Sequence, residues 1–343
     1  MSDYSKYANK GLTGLKNLGN TCYLNSCMQI ISHCYPLNDF FSSPDFKSNI
    51  NNCVESVLLV EWNGLRELMW SQNCIISPNR YINSVQKIST LKNCELFSGF
   101  VQNDFPEFLV FLLECFHNAL KKQVSMEVEG RIITETDTIA KKCYEVIKNT
   151  FSKEYSEIIK LFYAIQVTQI ASIDNTVSLS IVPEPYCLIS LPLTIECTNI
   201  FDCFNLYCNS EVLKDDNAWF NDKTNKYENV NKHTKFWSLP EILIVDLKRF
   251  NNQLQKINKL IDVPLTKLDL QKYVIGYNAE SYNYDLFGVC NHMGNVFGGH
   301  YTAHVKNANN NWYKFDDTQV SSINSDKVVT NNAYCFFFKK RNN

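Results

Sequence analysis

Gly14-Leu15-Lys16-Asn17-Leu18-Gly19-Asn20-Thr21-Cys22-Tyr23-Leu24-Asn25-Ser26 joins a loop of small and amide side chains directly to a helical pattern. Leu24, Cys27, Met28 and Ile31 recur at spacings of three and four, so a helix begins just after Thr21 and ends before Pro36. Cys22 lies in its first turn. A thiol is a useful nucleophile only as thiolate, which the N-terminal end of a helix dipole and a neighbouring imidazole both favour. Position supplies the first to Cys22, and the preceding loop, ahead of an N-capped helix, lets backbone N–H groups and a side-chain amide converge near the sulfur. The competing reading is a buried helical cysteine that only fills space.

Outward from this segment, a second helix opens at Asn103-Asp104 and runs to Lys121-Lys122, with Asp104 and Glu107 spaced as a capping box and Pro106 in the first turn. Residues 53–91 read as mostly helical, and a third amphipathic stretch carries Cys143, Ile147, Phe151, Tyr155, Ile158 and Phe162. From about residue 165 the pattern changes to short β-branched and aromatic runs: 187–193, 241–250, 284–290, 299–306, 312–316 and 334–339. Helices first and strands later predict an α+β fold with a cleft where the halves meet. The polar stretch 217–235 is expected to project.

The 343 residues suit one large domain or two ordinary ones, and a net charge of -2 gives no basic excess for nucleic acid. The stretch MSDYSKYANKG has no apolar core of a signal peptide, and no run of 18 apolar residues predicts a membrane span. The expected setting is therefore intracellular, cytoplasm or nucleus. The 14 cysteines contain no C-x-x-C pair, so they are expected to be free thiols acting as small apolar side chains.

Six histidines could serve Cys22 as base. In Gly298-Gly299-His300-Tyr301-Thr302-Ala303-His304, a strand places His300 and His304 on one face about 13 Å apart, too far for both to serve one thiol. His300 follows a Gly-Gly pair where backbone approaches closely; Asp316 or Asp317, after the strand-like WYKF, could orient its imidazole.

Taken in order, the segments resemble the ubiquitin-specific protease family of deubiquitinases. GLKNLGNTCYLNSCMQ is similar to that family's cysteine box; FSGFVQNDFPEFLVFLLECFH to its Gln-Gln-Asp-x-x-Glu-Phe helix, with Asn103 for the second Gln; FWSLPEILIVDLKRF to its Leu-Lys-Arg-Phe strand, with Asp246 where His is more usual; and YDLFGVCNHMG, GGHYTAHVKN and WYKFDD to its histidine box. The resemblance implies one catalytic domain over 11–340 with a papain-like thumb–palm–fingers architecture: about 11–160 mainly thumb, about 161–240 mainly fingers, about 241–340 palm. It implies a thiol-dependent hydrolase of the bond after ubiquitin's terminal Gly, with Cys22 as nucleophile, His300 as base and acid, Asp316 orienting the imidazole, Asp317 sharing that role, and Asn17 as oxyanion donor. Asp104 and Glu107 would bind arginines of the ubiquitin tail. Gly299, Tyr301 and His292 fall at positions near the tail.

Many members carry two C-x-x-C pairs in the fingers, a tetrahedral zinc site. Here Gln169 and Ser172 stand at the first pair and Asn221 and Thr224 at the second, so no structural zinc and no other cofactor is expected. Cys203 and Cys208, lying between, are expected to be plain thiols. The implied partner is ubiquitin or its conjugates, with no nucleic acid or membrane partner and a monomeric chain. Two alternatives stay open: another Gly-Gly-ended modifier as substrate, and a non-catalytic ubiquitin-binding module.

Overall fold

The computed structural model describes residues 4–341. The first half is helical, with one short strand pair: β1 (Gly14–Leu15), α1 (Cys22–Ser32), α2 (Tyr35–Phe41), α3 (Glu55–Ser71), β2 (Ile75–Ile76), α4 (Asn79–Leu91), α5 (Phe105–Leu120), α6 (Glu135–Phe151) and α7 (Glu157–Phe162). Every residue of α1 is buried, because it is wedged between the other helices and the large sheet described next. In α5, Phe105, Phe108, Leu109, Leu112 and Phe116 are fully buried at helical spacing. Each such side chain contributes about 1.5–3 kcal/mol of burial, enough to fix that face against α3.

Strands dominate afterwards: β3 (Ala164–Ser172), β4 (Ser178–Tyr186), β5 (Ile189–Pro192), then α8 (Ile200–Cys208), β6 (Glu211–Leu213), β7 (Trp219–Asn221), β8 (Lys226–Glu228), β9 (Val230–Phe236), β10 (Ile242–Lys248), β11 (Leu268–Asp269), β12 (Asn283–Asn295), β13 (Gly298–Lys306), β14 (Trp312–Asp316), β15 (Gln319–Ile323) and β16 (Ala333–Lys340). The large sheet has the order β15-β14-β13-β12-β16-β10-β5, with β11 on β12; β4-β3-β9-β6 and the β7-β8 hairpin stand apart. The α+β expectation holds. Segment 217–235, expected to project, is built into β7, β8 and β9. β5 lies within the 161–240 stretch read as fingers but joins the large sheet, pairing in parallel with β10.

On β10 the alternation of side chains divides the core. Ile242 and Ile244 face the helical half, while Leu243, Val245 and Leu247 face a second core with α8 and β5. The large sheet is thus covered on both faces, and its thumb-side face carries α1. All fourteen cysteines are free thiols, ten buried and four half-buried; Cys203 and Cys208 are buried on α8. Even the cross-strand partners Cys290 and Cys335 are unbonded. Among the described residues no helix is long and apolar enough to cross a membrane.

Candidate active site

The loop before α1 is fixed from both sides. Gly14 pairs with Ile75, Leu15 donates its N–H to the Asp317 carbonyl at 2.9 Å, and a Cβ on Gly14 would stand 2.4 Å from the Thr318 carbonyl. The turn after β14 therefore seats directly on the strand that leads to Cys22. Within the loop, Asn17 Oδ1 accepts from the N–H groups of Gly19 and Thr21 at 3.0 and 3.1 Å, which shapes the bend. Thr21 does not cap α1 as its position suggests: its hydroxyl instead takes the Leu18 N–H and meets Asn17 Oδ1.

Cys22 is 4% exposed, at the end of α1 that packs on β13. Burial pushes its thiol up; a backbone hydrogen bond from Tyr301 opposes that, and the Asp317 charge adds to it. The helix position, which favours ionisation, is thus opposed by burial. A desolvated sulfur 4% open to water has lost more hydration than first-turn amides return.

His300 and Tyr301 lie on β13, whose neighbour β14 ends at Asp316. His300 Nε2 meets Asp316 Oδ1 at 2.7 Å, and Lys314 Nζ meets the other oxygen at 2.8 Å. Burial works to raise the Asp316 pKa, but the Lys314 and His300 contacts outweigh it and hold the carboxyl low. A carboxylate on Nε2 makes that nitrogen the donor and leaves Nδ1 with the lone pair. Asp317 takes a different place. With φ of 50° its carboxylate stays within 4.8 Å of the His300 ring but spends its oxygens on Asn17 Nδ2 at 3.0 Å and Asn25 Nδ2 at 2.7 Å. His304 stays out of the site, its Nδ1 on the Val328 carbonyl at 2.8 Å. His300, Asp316 and Asp317 offer ligand atoms within 4.8 Å of one another, but each carboxylate already has two side-chain partners, which suits a hydrogen-bonded relay better than a metal centre.

Beside His300 lies a cleft of about 240 Å³ lined by Gln102, Asp104, His292, Gly299, Tyr301 and Tyr334 among others. The Asp104–Glu107 capping box does not form: at the N-cap the Asp104 carbonyl accepts the Phe108 N–H at 3.1 Å, but the Asp104 side chain makes no cap bond and accepts instead from Tyr301 and Tyr334 hydroxyls at 3.0 and 3.3 Å. Its half-buried carboxyl is raised by burial, and the two hydroxyls oppose the shift. Glu107, one turn on, is exposed. His292 is buried under Tyr301, ring centroids 4.7 Å apart, and burial with the nearby Lys256 charge lowers it to about 4, so it is neutral near pH 7. A Cβ on Gly299 would come within 2.5 Å of His292 Nε2, so only glycine fits there.

Four contributors were not singled out from sequence. Gln102 Oε1 accepts the Gly299 N–H at 2.7 Å and ties the β12–β13 hairpin to the helical half; Asn25 braces Asp317, Lys314 braces Asp316, and Tyr334 braces Asp104. Gln102 adjoins Asn103-Asp104, the one signal that could have found it.

At the four positions compared with zinc ligands the donors are oxygen and nitrogen, already engaged locally. Ser172 Oγ bonds Asp174 at 2.5 Å, while Asn221 Nδ2 and Thr224 Oγ1 both donate to Glu228 Oε1, at 3.0 and 2.5 Å. Gln169 pairs within the sheet through β4 and β9. Neutral amides and hydroxyls are poor ligands for Zn²⁺, so this set does not fit a thiolate zinc site.

A family model described as ubiquitin carboxyl-terminal hydrolase matches residues 13–338. Ubiquitin carboxyl-terminal hydrolase 2 of Homo sapiens is 28% identical over 341 residues, covering 96% of this chain and 55% of that protein. Ubiquitin carboxyl-terminal hydrolase 5 of Saccharomyces cerevisiae is 30% identical over 366 residues, covering 96% and 45%. The chain spans about half the length of the curated relatives it matches. Among solved structures, the SAGA Ubp8/Sgf11/Sus1/Sgf73 DUB module bound to ubiquitin aldehyde has a TM-score of 0.74 at 21% identity, covering 98% of this chain and 71% of that one. The same module bound to monoubiquitin has a TM-score of 0.75 at 20% identity, covering 99% and 71%. The likeness establishes the fold.

Proposed function

The chain belongs to the ubiquitin carboxyl-terminal hydrolase family, and on that premise we propose that it is a thiol-dependent deubiquitinase, hydrolysing the isopeptide or peptide bond after the C-terminal glycine of ubiquitin. The observation that carries the reading is the His300–Asp316 pair, on strands packed against the helix that begins with Cys22 and coupled through Asp317 to Asn17. As Cys22 Sγ attacks the terminal glycine carbonyl, His300 Nδ1 takes the thiol proton and Asn17 Nδ2 with the Cys22 backbone N–H meets the forming oxyanion. The C–N bond breaks as His300 passes that proton to the departing amine. Water then attacks the thioester; His300 takes its proton and returns one to the sulfur as the C–S bond opens. In this account Asp316 orients the imidazole, while Asp317 is a positioning residue for the oxyanion donor rather than a second partner of His300.

Asp104 and Glu107 are assigned to the substrate tail, a role that the failed capping box leaves them free to fill. Gly299, His292 and Tyr301 form the floor over which a Gly-Gly terminus passes. The free thiols suit a reducing, intracellular compartment. We assign no structural zinc, in keeping with the donors at 169, 172, 221 and 224, and a monomeric chain. Turnover of a ubiquitin-amide reporter tests the reading: Cys22→Ala should abolish it, and full activity in that variant overturns it. The departure in the fingers favours one further reading, a different Gly-Gly-ended modifier; a panel of modifier-based probes that labels Cys22 more readily with another modifier than with ubiquitin would establish that instead.

A further inference from the structure

A cleft of about 700 Å³ is lined by Asp104, Glu107 and Asp246, with Leu96, Phe111 and Leu188 among its apolar walls. Asp246 belongs to the thumb-facing row of β10, between Ile242 and Ile244 on one side and the exposed Lys248 on the other, so a buried carboxylate follows two aliphatic side chains. It is 6% exposed. One oxygen takes the Ser190 hydroxyl at 2.6 Å, and among the described residues no Lys, Arg or His nitrogen lies within 4.0 Å of the carboxylates of Asp104, Glu107 or Asp246. Lys92, the cation at the rim, is held by Glu55 and Glu114 at 2.9 and 3.1 Å. Two half-buried or buried carboxylates therefore face one cleft without a direct ion-pair partner, an arrangement that costs stability unless something cationic enters.

We propose that Asp246 is a specificity-determining residue that joins Asp104 and Glu107 in taking a guanidinium side chain from the C-terminal tail of the protein modifier. This rests on the deubiquitinase reading and adds to it a residue at which this chain departs from the family's usual His. A planar guanidinium can bridge two carboxylates through several N–H groups, and the apolar walls accept its aliphatic stem. The groups facing Asp246 are Asp104, Glu107 and Glu114 from the α5 side, Lys92 after α4, Lys248 on its own strand, and the Tyr334 hydroxyl and Cys335 thiol on β16. Burial lifts the Asp246 carboxyl to about 6; the Ser190 bond opposes this and the Asp104 charge adds to it. A bound cation favours the ionised form, so affinity rises with pH through this range and falls below it.

The test measures labelled-ubiquitin affinity for the full chain carrying Cys22→Ala, at about pH 5 and about pH 7.5, alone and with Asp246→Asn or Asp246→Glu added. A second ubiquitin has its tail arginines replaced by alanine. At the higher pH Asp246→Asn should weaken intact ubiquitin about tenfold and flatten the pH dependence, while Asp246→Glu recovers part of the loss. Against the alanine-tailed ubiquitin, Asp246→Asn should change affinity less than about twofold. Equal affinity of Asp246→Asn and its parent for intact ubiquitin overturns the proposal, as does an equal loss with both ubiquitins. Should Asp246→Asn fail to fold, Asp246→Glu against the two ubiquitins decides by the same criterion. A parent that binds no ubiquitin overturns the functional reading itself, a result separate from any difference between variants.

Discussion

The seam between the helical half and the large sheet and the small sheet of the fingers both depend on polar side chains, but the turns of the fingers close on bonds of much shorter range. At the seam, Asn17 and Asn25 reach Asp317 across 300 and 292 positions of sequence, Gln102 reaches Gly299 across 197, and Tyr334 reaches Asp104 across 230. In the fingers, Ser172 and Thr176 close on Asp174, and Asn221 and Thr224 on Glu228, all within seven positions. The seam's bonds hold separate segments in one reacting geometry. These turn bonds in the fingers hold only their own turns, even though Asn231 on β9 also reaches Ile173 and Asn175 across 58 and 56 positions, so losing a turn bond should leave the chemistry intact.

The sharpest way to break this contrast is at the two adjacent aspartates. Asp316→Asn should lower kcat/KM for a ubiquitin reporter by about 10²–10⁴, because the amide cannot hold His300 in the same tautomer. Asp317→Asn should cost at most about 10²–10³, the contribution of one oxyanion donor, and should appear in kcat. Asn tolerates the left-handed backbone at 317, so its melting temperature should hardly move. An Asp317→Asn defect as large as that of Asp316→Asn would show that 317 also orients the imidazole.

Gly299→Ala comes next. Its Cβ meets the His292 ring and the Met293 carbonyl, at 2.5 and 2.3 Å, so the hairpin must shift off Gln102 or the ring must move into the tail channel. KM for ubiquitin should rise by about tenfold or more, and because His300 is the next residue on β13, kcat should fall as well. An unchanged KM would mean that the tail does not pass this point.

How far the sequence carried differs between the two regions for a physical reason. Helical spacing after Thr21 and period-two patterning around His300 were legible because they are local, and Cys22, His300 and Asp316 followed from them together with the family resemblance. The roles of Asn25, Gln102 and Tyr334 were not, because each depends on a partner that only the fold brings near, and Lys314, two residues from Asp316 on the same strand, matters only once His300 arrives. The two cap assignments failed in the same way: at Thr21 and Asp104 the nearby backbone lost to Asn17 and to the tyrosine hydroxyls. The run 187–193 read correctly as a strand, but its parallel seat beside β10 is non-local and had no local signal.

The smallest expected effect lies in the fingers and tests whether local polar turns suffice where thiolates and a metal ion could otherwise stand. Glu228 accepts from Thr224 and Asn221, and these two bonds, in that order, hold its carboxyl below the usual range. A depressed carboxyl contributes stability at neutral pH that is lost as pH falls through its folded value, so the turn should loosen only in acid. Glu228→Gln keeps the shape but removes the charge that strengthens both bonds. For an exposed turn in a chain of this size, the melting temperature should fall by no more than about 2 °C and kcat for a ubiquitin reporter should stay within about twofold. Any KM change should exceed the kcat change, because the fingers lie away from His300 and Cys22. A chelator should leave the melting temperature where it was. A drop on chelation that added zinc reverses would place a metal in this sheet and remove the distinction between a long-range catalytic seam and a locally closed extension.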